Sequence, residues 1–123
     1  MIRLILCLSI YLQQPSLLFA QTKANLEGDW LLEDLDNSIV NFYIGNDDFW
    51  YGKILKSDKP IYVHQVIYKG KYILKNSHLE GIFTTPKSKM NISAKIYLDN
   101  TQQMRFVGKK YFITKTYIGK RVK

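Results

Sequence analysis

The chain has 123 residues, of which 46% are hydrophobic and 23% are charged, and this composition predicts one globular domain rather than a multidomain enzyme or a disordered chain. A single cysteine excludes an internal disulfide and a thiolate metal cluster, and two histidines are too few for a histidine-rich metal site. The formal net charge of +8 makes the protein basic and directs attention to anionic partners.

The first twenty residues have the layout of a secretory signal peptide. Arg3 gives a short positive start, and the apolar run from Leu4 to Leu12 is too short to span a bilayer, which requires about 20 residues. Polar residues and Pro15 interrupt the apolar character before Ala20, after which cleavage is expected. We therefore interpret residues 1–20 as a signal peptide and residues 21–123 as one exported domain, in which no transmembrane segment is expected.

Period-2 alternation of apolar and polar residues dominates the rest of the chain and predicts β-strands. The strand-like runs, in chain order, are 40–44, 50–55, 61–68, 71–74, 90–98, 103–106 and 111–118. Turn-forming residues separate most of them, at 36–38, 45–48, 57–60, 69–70, 76–77, 86–88 and 99–101. Eight or nine short strands at roughly 10-residue spacing predict an all-β domain, either an antiparallel sandwich or a barrel.

The first strand begins with the motif Gly28-Asp29-Trp30. This G-x-W pattern resembles the first-strand signature of the calycins, the superfamily of lipocalin-like barrels. In those barrels the tryptophan closes one end, and a basic residue near the end of the last strand packs over its ring. The resemblance implies a small antiparallel up-and-down β-barrel of about eight strands, closed by Gly28, Trp30 and Arg121. The implied cation–π contact between Arg121 and Trp30 is worth about 0.5–2 kcal/mol.

Further motifs resemble those of DUF2147, an exported bacterial family with a calycin-type barrel and no established activity. The matching residues are Gly52-Lys53-Ile54, Gly81, Pro86, Ser93-Ala94-Lys95 and Met104 to Gly108. The chain departs from the family pattern at Thr85, Val107 and Tyr117, where the family has Asp, Arg and Trp. The resemblance covers residues 21–123 and implies a periplasmic or secreted bacterial protein. It implies no reaction.

No set of residues in the sequence has the pattern of a catalytic site. His64 and His78 lie 14 positions apart, and Glu80 is the one carboxylate at strand spacing from His78, so two ligands at most would share a face. The sequence has no G-x-S-x-G motif and no glycine-rich phosphate loop. We therefore predict a protein that is not an enzyme and that has no cofactor, metal site or catalytic residue.

Two binding hypotheses stay open, and the first is a small hydrophobic ligand inside the barrel. Barrels of eight strands are wide enough to hold one small ligand or to be filled by their own side chains. The expected ligand-lining residues are Val40, Phe42, Ile92, Ala94, Ile96 and Phe112. The alternative role of the same residues is an ordinary filled core.

The second hypothesis is an envelope interaction module that uses a basic surface rich in Lys and Tyr. Its candidate residues are Lys109, Lys110, Lys120 and Lys123. Its expected partners are anionic envelope components, namely an anionic polymer or lipid headgroups, or another protein. Nucleic acid is not expected as a partner, because an exported protein seldom meets one. A solvated lysine face that keeps strand edges unpaired is the simpler interpretation of the same residues.

Overall fold

The computed structural model describes residues 26–73 and 78–122, and in these ranges the chain forms a closed antiparallel barrel of eight strands. The strands follow one another around the barrel in chain order. They are β1 (Gly28–Leu32), β2 (Ser38–Ile44), β3 (Trp50–Lys56), β4 (Val66–Ile73), β5 (His78–Thr84), β6 (Asn91–Leu98), β7 (Gln103–Lys110) and β8 (Ile113–Arg121). The all-β fold predicted from the alternation and the barrel of about eight strands implied by the calycin resemblance are both confirmed. The predicted signal peptide lies outside the described residues, as does Lys123.

Apolar residues at alternate positions face inward and fill the centre of the barrel. Phe42, Tyr68 and Phe106 meet there edge to face, with ring centroids 6.1 Å apart for Phe42 and Tyr68 and 5.4 Å apart for Tyr68 and Phe106. Phe83 continues the stack, with its ring centroid 5.0 Å from that of Phe106. The middle of the barrel is therefore a packed core.

Glycines in the barrel wall make room for the Tyr68 side chain. A Cβ atom at Gly70 would collide with the Tyr68 hydroxyl, and one at Gly52 would lie 3.2 Å from the Tyr68 Cβ. The Tyr68 hydroxyl has no hydrogen-bond partner among the described residues. Burial raises the pKa of Tyr68 above the ordinary tyrosine value, because the charged phenolate is poorly solvated inside the core.

Three local details differ from the sequence-based expectation. Lys69 and Gly70, expected as a turn, lie inside β4, where Gly70 pairs with Gly81. The segment 61–68, expected as a strand, begins instead within the 3₁₀ helix Pro60–Tyr62. The expected strand 111–118 begins two residues later, because Tyr111 and Phe112 form the turn between β7 and β8.

The up-and-down topology assigns each connection to one of two barrel ends. The closed end carries the start of β1, the end of β8, and the 45–49 and 99–102 connections. The open end carries the 33–37, 57–65 and 85–90 connections and the turn after β7. None of the helical segments in the described ranges has the length and apolar character that crossing a bilayer requires.

Candidate functional site

The closed end is built around Trp30, which is fully buried. The guanidinium carbon of Arg121 lies 4.3 Å from the Trp30 ring centroid, so the cation–π contact implied by the calycin resemblance is present in the structure. The indole Nε1 donates a hydrogen bond to the carbonyl oxygen of Leu26 at 2.8 Å. The Arg121 contact with the ring face and the hydrogen bond at Nε1 together hold the indole in one position.

Arg121 also ties two neighbouring segments of chain to the closed end. Its Nε donates to the carbonyl oxygen of Thr101 at 2.7 Å, and its Nη1 donates to that of Glu27 at 3.2 Å. Gly28 has a φ of 126°, which L side chains rarely adopt, and a Cβ there would lie 3.2 Å from the Arg121 Nη1. The structure thus brings together Gly28, Trp30 and Arg121 in a structural arrangement.

The six residues expected to line a ligand site do not share one environment. Val40, Phe42, Ala94 and Ile96 are buried in the packed core, and Ile92 is partly buried against it. Phe112 is fully exposed at the turn after β7, so its expected place in the lining is wrong. The error arose because a Tyr-Phe turn carries none of the residues that usually mark a turn.

The structure has a cavity of about 530 Å³ at the open end, here called the mouth cavity. Its inner end is formed by Phe83 and Tyr117, whose rings lie 5.9 Å apart above the packed core. Its walls and rim include Met90, Ile92, Tyr111 and Ile113. Of the expected lining residues, Ile92 alone belongs to this cavity.

Two lysines bring positive charge to the otherwise apolar mouth cavity. The Lys115 Nζ lies 4.8 Å from the Tyr117 ring centroid, and the Lys110 Nζ lies 3.8 Å from the Met90 Sδ. Both lysines line the cavity. The arrangement suits an amphipathic molecule with an apolar body and an anionic head group.

Gly108 leaves part of the mouth cavity unfilled. A Cβ at this position would meet its nearest neighbour, Ile92 Cγ2, at 3.6 Å, which is ordinary van der Waals contact. By contrast, a Cβ at Gly119 would lie 2.7 Å from the Met104 Sδ. Gly108 is therefore a cavity-lining position that tolerates a side chain. The alternation of Met104 and Phe106 continues along β7 to Gly108, which faces inward, but the height of the core below it depends on the assembled barrel.

The candidate basic residues do not form a single patch. Lys109 is exposed beside the open end, and Lys110 is half-buried at the rim of the mouth cavity. Lys120 lies towards the other end of β8, where its Nζ is 3.7 Å from the Glu33 carboxylate. Sequence reasoning missed that Lys59, Lys87 and Lys89 also lie at the open end, since they belong to connections that only the barrel brings together.

A polar cluster on the outer wall includes the second histidine. His78 Nε2 lies 3.0 Å from the Glu80 carboxylate, and the Lys95 Nζ lies 3.6 Å from it. The hydrogen bond with His78 is the main cause that lowers the pKa of Glu80, and the charge of Lys95 adds to it. His78 is buried against Tyr97, with ring centroids 4.9 Å apart. Within residues 26–73 and 78–122, no group of three or more His, Cys, Asp or Glu side chains is placed to hold a metal ion.

No family model matches the sequence, and searches of curated proteins and of solved structures find no significant match to the chain.

Proposed function

We propose that this protein is an exported, non-catalytic barrel that binds a small amphipathic ligand, with an apolar body and an anionic head group, in the mouth cavity. The observation that carries the proposal is an apolar cavity of about 530 Å³ above a packed aromatic layer. This volume lies within the range of about 300–1,000 Å³ that is typical of small-molecule sites.

The filled core limits how deep a ligand reaches. Phe42, Tyr68 and Phe106 occupy the barrel centre, so the apolar body rests on the rings of Phe83 and Tyr117. Covering the apolar surface of this cavity gains about 25 cal/mol for each Å² removed from water. The ligand therefore enters from the open end and stays close to it.

The proposed charge preference rests on Lys110 and Lys115. Both ammonium groups are near apolar surface, where a paired anion interacts more strongly than it does in bulk water. A fatty acid has the required chemistry, because a carboxylate at the rim leaves its chain in the apolar interior. Export is supported by the signal-peptide pattern of residues 1–20, and membership of DUF2147 by the motifs from Gly28 to Gly108.

Native mass spectrometry of the protein purified from the cells that make it is the first test. We expect an extra mass that is released on denaturation and that belongs to an amphiphile. Titration of the delipidated protein with a long-chain fatty acid is then expected to raise its melting temperature, since a ligand that binds only the folded state stabilises it. Absence of both the retained mass and the thermal shift would contradict the proposal.

Filling the cavity provides the sharper test. Gly108→Val adds a β-branched side chain that suits a strand and projects into the mouth cavity, where its Cβ lies 3.9 Å from the Lys115 carbonyl oxygen. We expect loss of fatty-acid binding with the fold retained. Val107→Leu on the same strand, at the neighbouring outward position, is the matched control and should bind as the parent does. Equal binding by both variants would place the ligand elsewhere.

The charge preference has a separate test at Lys115. Lys115→Gln is expected to weaken binding of a fatty acid by up to about fivefold, as suits a partly solvated ion pair. Binding of the fatty alcohol of the same chain length is expected to stay unchanged. If the variant weakens binding of both ligands equally, Lys115 acts through packing and the proposed preference for an anionic head group is wrong.

A further inference from the structure

We propose that the open end of the barrel docks on an anionic lipid bilayer, with the turn between β7 and β8 inserted among the lipids. The hairpin tip consists of Tyr111, Phe112 and Ile113, which are exposed by 82%, 102% and 74%. Three consecutive large apolar side chains on the surface indicate a contact site rather than an ordinary scatter of exposed residues. Tyr111 and Ile113 also belong to the rim of the mouth cavity, whereas Phe112 does not line it, so Phe112 is the residue that separates this proposal from ligand binding.

The hairpin tip lies at the end of the β7–β8 hairpin, which extends past the end of β1. β7 and β8 pair as far as Lys110 and Ile113, whereas β1 ends at Leu32, opposite Gly119. The part of β8 from Ile113 to Ile118 therefore extends past β1 and pairs with β7 alone among the described strands. This geometry leaves the β8 side of the tip without a neighbouring strand among the described residues, while β7 stays paired with β6 as far as Lys109.

Tyr111 and Phe112 are residue types that a two-residue hairpin turn does not favour. Tyr111 has a φ of 55°, in the left-handed region that glycine and asparagine prefer. Two-residue hairpin turns favour Asn, Asp and Gly, whereas this one presents Tyr and Phe. The conformation of the turn does not explain why two aromatic residues occupy it. Contact with a lipid bilayer does explain their presence there.

Lysines surround the hairpin tip and the groove next to it. Ile61, which is also exposed, lies in a groove of about 460 Å³ between the 57–65 and 85–90 connections. Besides the two lysines in the mouth cavity, this end carries Lys59, Lys87, Lys89 and Lys109. Near an anionic lipid surface each lysine strengthens binding by about fivefold, and its stem packs along apolar surface while the ammonium stays among the headgroups.

Acidic residues occupy the opposite side of the same end. Asp58 accepts a hydrogen bond from the side chain of Asn37 at 2.7 Å, and its backbone amide donates to the carbonyl oxygen of Asp36 at 2.9 Å. The basic and apolar side is thus the wall that runs from the groove beside Lys59 and Ile61 to the turn after β7, and the 33–37 connection lies outside it. The barrel is expected to lie tilted, with that wall nearer the lipids.

The combination of lysines with an apolar tip favours a bilayer over a protein partner. Lysine is depleted in protein–protein interfaces, whereas basic residues around an inserted apolar segment are typical of proteins bound to anionic membranes. Tyrosine also prefers the level of the headgroups. The chemistry of the open end therefore fits a lipid surface that carries negative charge.

Co-sedimentation with vesicles tests the proposal. Phosphatidylcholine vesicles are compared with vesicles of phosphatidylcholine mixed with phosphatidylglycerol, using the full barrel domain. We expect binding to the anionic vesicles, weakened by added salt because screening reduces the lysine contribution. Equal binding to both kinds of vesicle, or no binding to the anionic ones at low salt, would overturn the proposal.

Matched variants test which residues make the contact. Phe112→Ser is expected to reduce partitioning by about tenfold or more, because a large apolar side chain no longer inserts. Ile82→Ser removes an exposed apolar side chain from the outer wall and should bind as the parent does. Lys87→Gln and Lys109→Gln are each expected to reduce binding to anionic vesicles by about fivefold. The control substitution Lys71→Gln, opposite Glu80 and away from the open end, should have a smaller effect.

Other outcomes separate this proposal from its alternatives. If Phe112→Ser binds vesicles as well as Ile82→Ser does, the tip is not the inserted element and the proposal is wrong. If ultracentrifugation shows a dimer that Phe112→Ser dissociates, the tip is instead an interface between copies. Gly108→Val is expected to lose the fatty acid and keep vesicle binding, so the two proposals fail independently.

Discussion

Arg121 holds three segments together at one end of the barrel, whereas at the other end Phe112 contacts mainly solvent. The closed end buries its large aromatic side chain and satisfies the indole nitrogen through Leu26. The open end exposes aromatic residues at the hairpin tip and leaves an apolar cavity above Phe83. The two ends belong to the same eight strands, and the barrel forms with only one of them sealed.

The difference indicates how stability and binding are divided in this small domain. Native domains are stable by only about 5–15 kcal/mol, so the contacts that seal the closed end make up a large part of the total. The hairpin tip contributes little packing and is therefore available for contacts with other molecules. Substitutions at the two ends are expected to have opposite consequences for stability and for binding.

The largest expected effect follows from Trp30→Ala at the closed end. Removal of a fully buried tryptophan leaves a cavity and costs about 3–5 kcal/mol of unfolding free energy. Chemical denaturation monitored by circular dichroism measures this loss. A loss below about 1 kcal/mol would mean that the closed end does not support the barrel.

Arg121→Ala is expected to cost about 2 kcal/mol, because it removes the cation–π contact and two hydrogen bonds from a charged donor. Arg121→Lys should recover a part of this loss, since lysine retains the charge but not the planar fork. The same denaturation experiment checks both variants. Equal stability of Arg121→Ala and the parent would show that Arg121 does not stabilise the closed end.

Tyr68→Phe is expected to stabilise the protein by about 1 kcal/mol, since it removes a buried hydroxyl that has no hydrogen-bond partner among the described residues. Burial raises the pKa of Tyr68, so above the unfolded pKa of about 10 the unfolded chain releases this proton more readily than the folded barrel does. Stability therefore falls progressively as the pH rises above this value. Tyr68→Phe should therefore flatten the alkaline fall in stability.

Tyr111→Phe is the matched control for this pH experiment, since it removes an exposed hydroxyl from the hairpin tip. Stability measured between neutral and alkaline pH is expected to fall in the control as it does in the parent. An alkaline fall of the same size in Tyr68→Phe would show that other groups cause it.

The smallest expected effect belongs to the open end. Phe112→Ser should change the unfolding free energy by no more than about 0.5 kcal/mol, because the side chain is fully exposed. Thermal denaturation of the parent and the variant provides the measurement. A larger loss would show that the hairpin tip packs against the barrel, and it would weaken the contrast between the two ends.

Sequence patterns predicted the barrel better than they predicted the candidate site. The alternation in β6 placed Ala94 and Ile96 inward, and burial of both residues follows from that pattern. The turn at Phe112 was missed because turn recognition relies on Gly, Asn, Asp and Pro, and none of these is present there. A turn of two aromatic residues has the composition of a strand, so it is recognised as a turn only when the strand pairing is known.

The mouth cavity could not be predicted for a different reason. Alternation shows which side chains face inward, but it does not show at what height along the barrel they fill the interior. Phe83 and Tyr117 come from strands far apart in the sequence, and their rings meet only after the barrel closes. The open space above them depends on this meeting.

The sequence by itself determined the strand alternation, and the resemblance of its G-x-W motif to the calycins implied the closure residues Gly28, Trp30 and Arg121. These features are local, or depend on one conspicuous motif, because side-chain direction in a strand follows from position alone. The tertiary structure decided which end stays open, where the core stops, and which lysines of distant connections meet. Those outcomes depend on the pairing and relative offset of all eight strands, since each strand's neighbours determine the depth that its side chains reach.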